Sequence, residues 1–251
     1  MKMSIRLGHA YRCDAKRSRD EELRIVISIL RGEASLEGRT PQMVTAVTEA
    51  EAILSIKSPV IYTFVGCLHP DLGTVGLILS PECIQGRLQG VTRCDSGGLA
   101  GRLGSFVHVN KADVPGALRE LSVTGENPPW YPLFVDELAK SYSDSADYVR
   151  GTVPDYATWK DVRAHCIAQP LAPGDILDRR LWTWEVRLTT APDPTHYEAI
   201  VLSHEALKQV EALHVEGHSI PDDVKVLFGT ISAAGVHYFL GESVFDVLGG
   251  I

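Results

Sequence analysis

Apolar positions along this chain fall into runs of a few residues, broken by glycine, proline and aspartate. The strongest pair is PVIYTFVG (residues 59–66) and GTVGLILS (residues 73–80), each continuously apolar or β-prone. CLHPDL lies between them and supplies a turn, so the pair predicts two core strands of one sheet. SIRLGHAY (residues 4–11) predicts an earlier strand. LWTWEVRL (residues 181–188) alternates, with Trp182, Trp184 and Val186 on one side and Thr183, Glu185 and Arg187 on the other. HYEAIVL (residues 196–202) follows across the reversal APDPT, and VKVLF (residues 224–228) and GVHYFL (residues 235–240) read as closing strands. FVHV (residues 106–109) predicts a further short one.

Helix signals are fewer. Asp20, Glu21 and Glu22 suit a first turn and Arg31-Gly32 an end, although RIVISIL (residues 24–30) is itself strongly β-forming. Thr40-Pro41 fits a cap followed by proline, opening a helix to about Ser55. A helix start near Pro81-Glu82 soon meets Gly86 and Gly90. Further helices are expected over 112–121, 133–140, 156–167 and 203–213, the last capped by Ser203. ENPPWYP (residues 126–132) holds three prolines in seven residues, and PLAPGD (residues 170–175) punctuates again. Regular strand–helix alternation is absent. The expected class is α+β, with mixed or mainly antiparallel sheets. One domain over 1–251 is expected, with 126–175 a helical or loop-rich, proline-punctuated insertion.

Composition narrows the function. The 251 residues are 45% hydrophobic and 22% charged, enough for a core without disulfide or metal support. Net charge is -8, and the basic clusters Lys16–Arg19 and Arg179–Arg180 are short. Nucleic-acid binding is disfavoured, leaving only a local basic groove open. No apolar run has the length of a leader or a membrane span, so a soluble, cytoplasmic protein with no membrane partner is expected. Five widely spaced cysteines, Cys13, Cys67, Cys83, Cys94 and Cys166, argue for reduced thiols rather than a disulfide framework.

Chemistry concentrates in VTRCDSGGLAGRLGSFVHV (residues 91–109). Cys94 stands among polar residues and glycines, as an accessible thiol would. Backbone N–H groups near Ser96–Gly98 offer donors for a developing negative charge. A thiolate needs a base. His108 is the first choice and His237, on a later strand, the second. CDSGGL (residues 94–99) resembles the papain-like bacterial cell-wall peptidases, in which the nucleophilic cysteine precedes Ser-Gly-Leu, and VHYFLG (residues 236–241) resembles the strand carrying that family's histidine. Here Arg93, not aspartate, precedes the cysteine. DSGG is also similar to the serine-protease nucleophile motif, with Cys94 in place of its preceding glycine. The resemblance implies a cysteine-dependent hydrolase or acyl transferase acting on a small molecule or peptide.

Two other readings stand beside it. Cys67, His69, Cys83 and Cys94 have the ligand chemistry for zinc, at intervals of fifteen and ten residues between successive cysteines that match no knuckle spacing. Alternatively the chain is a non-catalytic ligand-binding or protein-interaction module. In that case Trp130, Trp159, Trp182 and Trp184, with Tyr131 and Tyr142, would line a pocket, and Arg180 and Arg187 would counter an anion. GGLAGRLG (residues 97–104) lacks the P-loop lysine followed by serine or threonine, so no nucleotide cofactor is expected. His196 and Glu198 share a strand side, as a carboxylate-assisted histidine requires, but a structural role is the expectation for His196.

Overall fold

The computed structural model describes residues 5–11, 18–36, 49–68, 75–102, 110–124, 129–150, 152, 154, 163, 166, 181–228, 230–232 and 235–237. The chain divides into two compact units, one of residues 1–37, 63–85 and 190–251, the other of residues 38–62 and 86–189. The class is α+β, with a mixed and largely antiparallel set of strands.

In the first unit the strand order is β2-β1-β3-β7-β8. These are β1 (Leu7–Tyr11), β2 (Ile61–Val65), β3 (Val75–Leu79), β7 (Tyr197–Leu202) and β8 (Lys225–Phe228). β1 pairs antiparallel with β2 and β3, placing Gly8 opposite Phe64 and Ile78. β3 pairs antiparallel with β7, with an irregularity at Ile78/Leu79, and β7 runs parallel to β8. All five residues of β3 are buried, as a continuous apolar run requires.

Helix α1 (Arg19–Leu30) settles the conflict posed by its β-forming residues. Ser18 and Glu21 form a reciprocal capping box, and Leu23, Val26, Ile27 and Leu30 are buried at helical spacing. A cap and a continuous apolar stripe outweigh the β preference of isoleucine and valine, which spans only about 1 kcal/mol. α1 packs on α6 (His204–Val215), whose cap is Ser203 as the sequence predicts. A two-stranded sheet of β9 (Thr230–Ser232) and β10 (Gly235–His237) completes the described part of this unit.

In the second unit the strand order is β5-β4-β6-β2, where β4 is Leu88–Thr92, β5 Ser122–Thr124 and β6 Glu185–Leu188. β2 belongs to both units, its first two residues to this one. Helices α2 (Glu49–Ile53) and α3 (Val114–Leu121) pack with the π-helical turn Gly98–Arg102. The proline-rich stretch leads into α4 (Trp130–Ser141), followed by α5 (Ser145–Arg150) in a polar segment for which the sequence predicts no helix. The strand expected at 106–109 and most of the helix expected at 156–167 lie outside the described residues. No helix among the described residues is long and apolar enough to cross a membrane.

Candidate functional site

The sequence places Glu185 and Arg187 on one side of a strand, opposite the tryptophans. The structure keeps that alternation but buries both sides: Trp184 and Glu185 are each 1% exposed and Arg187 is fully buried. β6 is an inner strand of its sheet, and register brings Thr92 opposite Glu185 and Gly90 opposite Arg187. The strand passes close to the guanidinium at Gly90, where a Cβ would stand 2.9 Å from Arg187 Nη2 and 3.2 Å from the Val123 carbonyl oxygen.

Beyond β4 the chain turns at Arg93 and folds Asp95 and Ser96 onto the same charged pair. Ser96 Oγ donates to the Glu185 carboxylate, 2.9 Å from one oxygen and 3.0 Å from the other, and its backbone N–H donates at 3.2 Å. Arg187 Nη1 donates to Glu185 at 2.5 Å and to Thr92 Oγ1 at 2.6 Å, while its Nε donates to Gln89 at 2.9 Å. Arg187 Nη2 is buried without a hydrogen-bond partner. Asp95 accepts from the Gly98 backbone at 2.9 Å, and the first turn at Gly98 leaves just enough space for its carboxylate.

Burial pushes the Glu185 carboxyl up to about 7. The Asp95 charge adds to the rise, while Arg187 and the Ser96 hydrogen bond oppose it. Burial, with the Glu185 charge behind it, also drives the Tyr62 phenol upward; that phenol donates to Glu51 at 2.7 Å. The site therefore holds a carboxyl that exchanges its proton near neutrality, in contact with a hydroxyl and a permanent cation.

Titration of Glu185 has a defined sign. Its folded carboxyl binds the proton more tightly than the unfolded chain's, whose value is near 4.5. The resulting stabilisation is full below about 4.5 and is lost as pH rises through about 7. Urea melts across this window should show stability falling with pH. Glu185→Gln should flatten the slope there, and an unchanged slope would show that Glu185 does not titrate in it.

A second charged group lies nearby in this unit. Glu137 on α4 accepts from Arg93 at 3.0 Å, from Arg163 at 3.2 Å and from the Trp184 indole at 3.2 Å. Arg163, 2% exposed, also donates to the carbonyls of Arg93 and Leu181. A small pocket with room for about one water is lined here by Tyr142, Tyr148, Trp182, Trp184, Glu137 and Arg163, among others. Trp182, Trp184 and Tyr142 of the expected aromatic pocket are thus brought together, while Trp130 packs against Trp184 from a buried position.

Cys94 is placed differently from the accessible thiol expected. It is fully buried in an apolar cluster with Leu99, Leu118, Leu121, Cys166 and Leu181. The turn sends its side chains to different places, the Cys94 thiol into this cluster and Ser96 toward Glu185. His108 lies outside the described residues. His237 is on β10, paired with Thr230 in the first unit, whereas Cys94 is in the second. Of the zinc set, Cys67 and Cys83 are buried thiols of the first unit and His69 lies outside the described residues. Among the described residues no group of three or more His, Cys, Asp or Glu side chains could hold a metal ion. Arg180 lies outside them, and Arg187 is committed to Glu185.

Sequence reasoning singled out the loop around Cys94, while the strand it folds against entered only through its alternation and through Arg187 as an anion partner. The missed signal was WEVR, a carboxylate and a guanidinium two residues apart on a strand whose other face is aromatic. Compared with known proteins, the chain matches no family model, no curated protein and no solved structure.

Proposed function

We propose that this chain is a hydrolase or acyl transferase acting on a small molecule or peptide in the cytoplasm, with Glu185 as its acid–base group and Ser96 as the hydroxyl it activates. What supports the reading is the contact of Ser96 Oγ with both Glu185 oxygens, in a water-excluded site where the carboxyl is pushed up to about 7. In the forward step Ser96 Oγ bonds to the acyl carbon and its proton passes to Glu185. The same proton then leaves with the departing group, and water or a second acceptor releases the acyl chain. Arg187 holds Glu185 in place and keeps its charge balanced. Ser96 is fully buried, so substrate entry requires a local opening of the chain around it. In this reading Cys94 packs the turn from beneath and takes no part in bond making.

The test is a panel of chromogenic thioesters and amides offered to the wild type and to C94A, S96A and E185Q, each checked for folding by circular dichroism. Native Cys94 should alkylate far more slowly than in urea. Turnover should survive C94A and fall at least about a hundredfold in S96A and E185Q, the scale of a lost acid–base group. Turnover that instead depends on Cys94 alone would return the chemistry to the thiol. Full turnover in folded S96A and E185Q would overturn the proposal.

The second reading, a ligand-binding module, is favoured by the convergence of Tyr142, Tyr148, Trp182 and Trp184 on one pocket. Quenching of tryptophan fluorescence by a ligand, without turnover in the same panel, would select it.

A further inference from the structure

The first unit carries a separate hydroxyl–imidazole contact. Ser80 directly follows β3, at the point where the chain leaves the sheet and Pro81 starts a single 3-10 turn, Pro81–Ile84. His196 closes another such turn, Pro194–His196, at the entrance to β7. The backbone fixes their approach from both sides. The Ser80 N–H donates to the His196 carbonyl at 2.8 Å, continuing the β3–β7 pairing, and the His196 N–H donates to the Asp193 carbonyl at 2.9 Å. The two side chains meet at 3.0 Å between Ser80 Oγ and His196 Nδ1. The other ring nitrogen, Nε2, faces Asp193 Oδ2 at 4.0 Å.

The direction of this contact depends on the tautomer. If Nδ1 accepts the serine proton, the ring hydrogen lies on Nε2 and points toward the Asp193 carboxylate. At 4.0 Å that carboxylate is beyond hydrogen-bond reach and faces the ring through its charge alone. Ser80 is itself buried, though less completely than Ser96, and its two partners reach solvent. Ser80 retains 8% exposure, the His196 side chain 20% and the Asp193 side chain 62%.

The geometry points to a second reactive site, in which Ser80 is a hydroxyl nucleophile for small activated acyl esters, His196 its base and Asp193 a positioning carboxylate. It goes beyond the function proposed for the second unit and does not depend on it. In the reaction the Ser80 Oγ–H bond breaks, its proton moves to His196 Nδ1, and Oγ bonds to the acyl carbon. The ester C–O bond then breaks and the leaving oxygen takes the proton from His196. Water attacking the acyl-serine by the same route returns the free hydroxyl and releases a carboxylic acid.

A fluorophosphonate reports the first half of this chemistry, forming a Ser80 Oγ–P bond as the P–F bond breaks and fluoride leaves. The probe is applied to the full chain in wild-type and S96A forms, and peptide mapping locates the adduct. The S96A background separates this inference from the failure or success of the Ser96 reading. We expect an adduct at Ser80 in both forms, none at position 80 in S80A, at least tenfold slower labelling of Ser80 in H196Q and severalfold slower labelling of it in D193N with an unchanged Tm. Labelling at Ser80 should also be much faster in native protein than in urea, a comparison that needs no variant to fold. No adduct at Ser80, a native rate no higher than the unfolded one, or undiminished labelling of folded H196Q would each overturn the inference.

Discussion

Arg187→Ala should lower the unfolding free energy by about 3–5 kcal/mol, the cost of leaving the other member of a buried ion pair without its partner. Neither Arg187 nor Glu185 has more than 1% of its side chain in water, so the interaction is little screened by solvent or salt. Losing the guanidinium removes hydrogen bonds to Glu185, Thr92 and Gln89 together and leaves the Asp95 and Glu185 carboxyls facing each other. The penalty should depend on pH. At low pH Glu185 can relieve it by taking a proton, so the loss should be larger at pH 8.5 than at pH 5.5. Guanidinium melts at the two values measure this directly. A loss below about 1 kcal/mol at both would mean that the pair contributes no more than an exposed one. Replacing both residues by apolar side chains of similar volume should recover much of the stability, since buried ion pairs often gain little over good apolar packing.

Gly8→Ala should be at least as damaging, for a steric reason. A Cβ at this position would lie 1.7 Å from the Cys67 carbonyl oxygen and 2.5 Å from its carbon. Both are backbone atoms, which cannot rotate away as a side chain can. The clash has to move β1 or the chain just beyond β2, and β1 is held on both sides by antiparallel pairing. Overpacking a well-packed core usually costs about 1–3 kcal/mol, and a collision with backbone lies at or above the top of that range. The expected outcome is loss of soluble protein or a drop in Tm of more than about 5 °C, in line with a few kcal/mol in a chain of this size. Gly86→Ala, with nothing within 4 Å of the added Cβ but a φ of +70°, separates backbone strain from collision and should cost less. If the two variants melt together, the close approach at Gly8 has been relieved by a small shift.

Much of the framework was legible in the sequence because its cues are local. The apolar runs at 59–66 and 73–80 gave β2 and β3, and the acidic Asp20–Glu22 turn and the Ser203 cap marked the starts of α1 and α6. β4 and β5 were missed because LQGVT and SVT carry too little apolar signal of their own; pairing with β6 and with each other makes them strands. α5 was missed because a polar segment gains its helical state from burying Tyr148 and Val149. The site shows the same division. The loop around Cys94 stood out by composition, and period two put Glu185 and Arg187 on one face. What no local pattern encodes is that β6 lies inside the sheet with both faces covered. That burial turns an ordinary polar strand face into a charged centre, and it turns Cys94, set among glycines and polar residues, into a core side chain.

The strand order of the first unit also governs how the chain is made. β3 ends at Leu79, yet β7, its neighbour on one edge, begins at Tyr197. At about 5–20 residues per second, a ribosome takes on the order of ten seconds to cover that interval. Throughout it, Val75–Leu79 presents an apolar edge with unpaired backbone groups, a template for association with other nascent chains. Synthesis of this protein should therefore depend on a chaperone that shields β3 until β7 emerges, and chains truncated before Tyr197 should accumulate as aggregates.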